Sequence, residues 1–247
     1  MMKLAMASTS ASAGNSILLA QERCTYMKRL NLLLATAVVS AAASAPLAAQ
    51  DGVEVLSEGF GNLAALSDWN SINRSIPPGA GWFQGNADVF PSQAGAPGAY
   101  AAASFLSAAN GFGVVDNWLI TPTLTLSGLT TLSFYTNREL VEGFDDLLEV
   151  RFGSGSSLEA ASFDTLLTTI GGASDFPTEW QQWSADLTVE GQGRFAFRYL
   201  GDAATLSYVG LDSVRVVTSV PEPGSLLLLA SGLGVLGLMR RRERHER

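Results

Sequence analysis

Residues 193–201 read GRFAFRYLG. Phe195, Phe197 and Tyr199 fall on one side of an extended chain, with Arg194, Ala196 and Arg198 on the other. That two-residue period marks a strand with one apolar face. The same period recurs outward. LLEVRFGS (147–154) sets Leu148, Val150 and Phe152 against Glu149 and Arg151, and TTLSFYTN (130–137) aligns Leu132, Phe134 and Thr136. VEVLSEGF (53–60) alternates loosely. SYVGLDSVRVV (207–217) alternates through Val209 and Leu211, slips phase near Asp212 and Ser213, and resumes at Val214 and Val216, which predicts a bulge. Glycine-rich breaks separate the runs: PPGAG (77–81), GAPG (95–98), GSGSS (153–157) and GG (171–172). About eight to ten short strands punctuated this way predict an all-β fold, an antiparallel jelly-roll β-sandwich. No amphipathic helix falls between the strands, so a βαβ arrangement is excluded. The nearest helical candidate, AYAAASFLSAAN (99–110), is alanine-rich, and its right half is a candidate strand.

The two ends have a different character. From Met27, Lys28 and Arg29 precede an apolar stretch, Leu30–Val39, and then small residues with a cut expected after Ala49. This is the order of a secretory signal, assigned to 27–49. Residues 1–26 carry no pattern and read as an upstream extension ahead of the initiator Met27. At the other end Pro221 and Pro223 interrupt the chain, and Gly224–Met239 is an apolar run of 16 residues. As a helix it reaches roughly 24 Å, enough to span a bilayer core of about 30 Å that thins locally. Arg240, Arg241 and Arg242 then act as a membrane stop held on the cytoplasmic side. The domain predicted at 51–219 would thus face outward from the membrane, ahead of a tail at 220–247.

Charge narrows the partners. Between Asp51 and Ser219 there are six Arg, no Lys and 19 Asp plus Glu, a net charge of −13. Such a surface repels a phosphate backbone, so nucleic acid is excluded. The single cysteine, Cys24, precedes the signal and leaves the exported part without thiol or disulfide chemistry. The single histidine, His245, lies in the tail, so a histidine-based triad or zinc site is not available to the domain. No catalytic residue is assigned and the chain is read as non-enzymatic. A carboxylate-dependent glycoside hydrolase is the alternative, because that chemistry needs only two acids.

Calcium takes six to eight oxygen ligands. Glu58 and Asp212 become neighbours if the terminal strands pair, and they are candidate ligands of a structural Ca2+. Glu142, Asp145 and Asp146 crowd one loop and form a second candidate, with a solvated acidic loop as the preferred reading. No other cofactor is expected. Trp82 near Gln84 and Asn86, and Trp180 and Trp183 around Gln181–Gln182, are candidate glycan contacts, since an aromatic face beside amides suits a sugar ring; packing at the sandwich ends is the alternative. Trp118, inside an apolar run, is read as core.

Val220-Pro221-Glu222-Pro223, the apolar run Leu226–Leu238 and Arg240–Arg242 together resemble a PEP-CTERM sorting signal. The resemblance implies an exosortase as partner, a transient stop in the inner membrane of an exopolysaccharide-making Gram-negative bacterium, and cleavage near 220–223. The domain resembles the choice-of-anchor J family, relatives of cleaved-adhesin and MAM-like jelly rolls. The residues that carry this are Glu58-Gly59-Phe60, Trp69, Gly81-Trp82-Phe83-Gln84-Gly85-Asn86, Asp116-Asn117-Trp118-Leu119-Ile120-Thr121-Pro122, Leu132-Ser133-Phe134-Tyr135 and Tyr208-Val209-Gly210-Leu211-Asp212-Ser213-Val214. It implies an extracellular jelly roll with adhesion or carbohydrate association. Relatives read Asp-Asp where this chain has Asp212-Ser213, which weakens a borrowed metal role. The expected function is a cell-surface or exopolysaccharide-matrix protein; a permanently membrane-tethered envelope protein is a further alternative.

Overall fold

A computed structural model describes residues 52–172 and 175–219, with 232–233 of the tail. The expected signal peptide, the upstream extension, the motif at 220–223 and the basic stop lie outside the described residues, as does all but 232–233 of the expected membrane helix. No helix among the described residues is long and apolar enough to cross a membrane.

Among the described residues, twelve strands form two antiparallel sheets. The first sheet runs β10 (Gln181–Thr188), β7 (Leu129–Arg138), β12 (Tyr208–Thr218), β4 (Ala101–Ser104) and β3 (Phe83–Gln84), with β1 (Val53–Glu58) also on β12. The second runs β2 (Asn70–Asn73), β5 (Val114–Ile120), β11 (Gly191–Asp202), β8 (Leu147–Ser154) and β9 (Thr165–Gly171), with β6 (Leu124–Leu126) also on β11. Each sheet is therefore organised on one long strand, β11 or β12, flanked on one side by two shorter ones. All the strands lie within 53–218, and the three buried apolar clusters draw on the same stretch of chain.

The alternating runs place their apolar sides inward as the period requires. Phe134 of β7 meets Phe197 of β11 edge-to-face across the seam, ring centres 5.2 Å apart, and Phe152 packs against Phe195 at 5.3 Å. The phase slip in β12 is a bulge: its register against β7 shifts between Asp212 and Arg215, and Ser213 adopts φ 52°. The outer side of β11 is covered too. Ala196 is buried with Trp118, Ile120 and Phe163, and the Arg198 guanidinium lies 5.0 Å from the Trp118 ring centre while bonding Asp116 at 2.6 Å and Glu149 at 3.1 Å.

Residues 99–110 depart from expectation. The strand occupies the left half, 101–104, and the right half folds into two 3-10 turns. The missing alternation has a physical reason. Ala101 and Ala103 pack into the inter-sheet core, whereas Ala102 packs outward under Tyr100 and Tyr208, so both faces are buried and both are apolar.

Candidate functional site

Three places gather the residues singled out by the sequence. The first lies on the outer face of β12. Gly210 has no side chain, and a Cβ there would come within 2.8 Å of Trp180 and 2.9 Å of Phe90. Aromatic rings therefore rest directly on the strand: Phe90 stacks on Tyr100 at 5.1 Å, and Trp180 meets both edge-on. The Trp180 indole N–H donates to the Pro91 carbonyl at 2.8 Å. Trp183 points toward the inter-sheet core and donates to Thr136 Oγ1 at 3.1 Å. Both half-buried indoles are thus held by protein partners.

Asp212 fastens the loop that supplies Phe90. Its Oδ2 accepts the N–H groups of Gln93 (2.9 Å) and Ala94 (3.2 Å), and its Oδ1 accepts the Ser213 N–H at 2.6 Å. Glu58 stands opposite Val214, beside the bulge, and accepts the N–H of Phe60, whose φ is 49°. Asp212 Oδ1 also accepts the Ser213 hydroxyl at 3.3 Å, so the donors to both carboxylates are N–H groups and one hydroxyl. Among the described residues no three His, Cys, Asp or Glu side chains are grouped to hold a metal.

The second place is the acidic loop before β8, whose three acids separate. Glu142 and Asp145 are exposed, whereas Asp146 is buried between the sheets. Asp146 Oδ1 accepts the Tyr199 hydroxyl at 2.5 Å and the Ser207 N–H at 2.9 Å, with Arg138 Nη1 3.8 Å from Oδ2. Burial pushes the Asp146 carboxyl above the ordinary aspartate range, against the opposing pull of those donors and of Arg138. The folded chain thus holds this proton more tightly than the unfolded chain. The resulting stabilisation is complete below the ordinary aspartate value and is lost as pH rises through the raised folded value. Wild type should therefore gain stability relative to Asp146→Asn as pH falls from 7 to 4 in urea titrations. A difference that stays constant over that interval would contradict the assignment.

The third place is a groove of about 440 Å³ at the open side of the sandwich, between the edge strands β2 and β3. A short turn, Leu63–Ala65, forms one wall; Trp69, Trp82 and Phe83 contribute to the rest, with Asn62, Ser71 and Gln84 as polar members. Trp82 is only 6% exposed, and its indole N–H donates to the Asn117 carbonyl at 3.3 Å. Gln84 is engaged at both ends of its amide: Nε2 donates to Gly98 and Phe60, and Oε1 accepts from Leu63. The Asn62 side chain makes no capping bond, and none of the groove residues is acidic. Sequence reading found Trp82 but missed the wall at 62–66, because NLAAL carries neither aromatic nor charge.

Comparison with known proteins places both parts of the chain. Residues 219–243 match the family described as the PEP-CTERM protein-sorting motif. That motif implies export and sorting at the bacterial cell envelope. Among solved structures, the K1 cleaved adhesin domain of Lys-gingipain from Porphyromonas gingivalis W83 superimposes with a TM-score of 0.54 and 24% identity, covering 67% of this chain and 99% of that one. The K3 cleaved adhesin domain of the same protein gives 0.52 and 21%, covering 68% and 99%. The domain thus shares the jelly-roll fold of cleaved adhesin domains, as its resemblance implied. No curated protein matches the chain.

Proposed function

We propose that this chain is an exported, non-catalytic binding protein, released to or displayed at the cell surface or exopolysaccharide matrix after an exosortase removes its tail, and that the groove between β2 and β3 receives a glycan. The sorting motif carries the first half of the reading. It begins at residue 219, one position beyond β12, the last strand among the described residues. A cut at 220–223 would leave every strand intact. The adhesin neighbours support a binding role, and the groove offers apolar walls with an exposed amide at Asn62 that caps no backbone group, a combination suited to a sugar's C–H face and hydroxyls. Glycoside hydrolysis would need two carboxylates flanking the scissile bond, and the groove lining supplies none.

Glycan-array binding by residues 51–219 tests this. Leu63→Asp, placed on the half-buried wall, should weaken a bound glycan at least about tenfold, the effect of roughly 1.4 kcal/mol, with little change in melting. Equal binding by both proteins, or no glycan bound by either, would remove the groove from the proposal. Melting in excess calcium and in chelator reads the Glu58–Asp212 position at the same time. A shared midpoint sets the cation aside; a higher midpoint in calcium that is lost in Asp212→Asn and kept in Asp145→Asn assigns it there.

A further inference from the structure

We propose that the end of the sandwich farthest from the tail is a docking surface for a protein partner that presents apolar side chains among basic ones. Large apolar side chains are concentrated and exposed there. Ile76 and Phe112 are each 73% exposed, Val114 58% and Leu106 47%. Two loops bring them together. Ile76 bridges Val114, the Ala80 N–H donates to Leu106, and the Ala109 N–H donates to Pro77. Contiguous exposed apolar surface of this kind marks an interaction site.

The loops are held in place by buried polar groups beneath them. The Asn73 amide donates to the Ala80 and Ser107 carbonyls, Asn117 donates to Ser107 Oγ at 2.8 Å, and Ser75 Oγ accepts the Asp116 N–H at 2.9 Å. Ser75, Ser107 and Asn117 are nearly inaccessible to solvent. The apolar side chains above them are therefore presented on a braced surface, with their backbone already ordered.

Orientation and charge identify the occupant. Val53 pairs with Thr218, so the first strand begins and the last strand ends at one end of the sandwich. Val114 pairs with Asp202, just before the turn that leads into Tyr208 at the opposite end. β12 has 11 residues, so the patch stands roughly 35 Å from the tail junction at about 3.3 Å per residue. A tether at the tail leaves the patch facing outward. Beside it, the Ala203 N–H donates to Gly113 and the Asp145 N–H to Thr205, which brings Asp202 and Asp145 to its rim, with Glu142 in the same acidic loop. All three are exposed, and no salt bridge engages them among the described residues. A second copy would oppose acid to acid within a domain already at −13, and an anionic bilayer would be repelled in the same way. A partner with basic residues around an apolar centre meets both features.

This inference rests on the chain being an exported binding protein but not on the groove. The test pans a random peptide library displayed on phage against residues 51–219 at low salt and then measures the selected peptides in solution. Enrichment of peptides combining aromatic or aliphatic residues with Lys or Arg is expected. Their affinity should fall at least tenfold for the double variant Ile76→Ser and Phe112→Ser, and fall for Glu142→Lys with Asp145→Lys. Leu63→Asp should leave it unchanged. Unshifted melting of the exposed-site variants checks that they fold. Peptides binding the serine variant as tightly as wild type, no enrichment, a dimer abolished by the serine substitutions, or binding to anionic phosphatidylserine vesicles through the patch would each overturn the proposal. Wild-type protein that binds peptides but no glycan would overturn the groove reading alone.

Discussion

Replacing Phe197 by alanine is expected to cost about 3–5 kcal/mol, the range for truncating a buried aromatic. Phe197 lies mid-way along β11, paired with Leu119 on one side and Val150 on the other, and is fully buried. Its ring fills the seam against Phe134 from the facing sheet, so its removal leaves a void bounded by both layers. Neither sheet can close that void alone, because each backbone is held by neighbouring strands on both sides. A domain of this size typically has about 5–15 kcal/mol of stability, so the loss is a large part of the whole. Chemical denaturation of residues 51–219 measures it, with Leu166→Ala on the exposed edge strand β9 as the comparison, expected within about 0.5 kcal/mol. A loss below 1 kcal/mol at Phe197 would mean that the two sheets do not meet there.

The second large effect is close to all-or-none and concerns the tail. Replacing Pro221, Glu222 and Pro223 together by alanine in the native bacterium should leave the RRRERHER end on the exported protein, whereas the wild-type product should lack it. Intact-mass measurement of envelope and culture fractions distinguishes the two. The argument is one of position. On the proposed reading, a 16-residue apolar run reaching roughly 24 Å as a helix would span only marginally, and the arginines beyond it would supply the stop that holds 220–223 at the membrane. Replacing Arg240, Arg241 and Arg242 by serine should therefore also abolish trimming, by letting the segment slip through. Wild-type protein that keeps its tail at the surface would instead favour the permanently tethered alternative.

The degree to which the fold was legible varied with burial pattern. β7, β8, β11 and β12 were readable because one face meets the core and the other carries polar groups, so alternation survives in the letters. Even the bulge at Asp212–Ser213 showed as a slip of phase. β4 was not readable, since Ala101–Ser104 is buried on both sides and offers no contrast. β3, a two-residue strand, is too short for any period to register. Among the candidate site residues, spacing showed that Asp145 and Asp146 are adjacent but not that one faces water while the other lies between the sheets. That division depends on Tyr199 and Ser207, which are 53 and 61 residues further along the chain. The exposed end had a faint signal in retrospect: Ile76 and Phe112 are bulky apolar residues beside turn-forming Pro77 and Gly113.

The sequence by itself determined the all-β class, the acidic charge and the sorting tail, because period, net charge and an ordered motif are properties of neighbours along the chain. Tertiary structure alone decided what each polar or aromatic side chain does. Asp212 holds a loop, Trp82 is an inner wall, and Ile76 with Phe112 faces solvent, because each outcome depends on partners delivered from distant strands. Long-range hydrogen bonds and burial choose among roles that the residue types leave equally open.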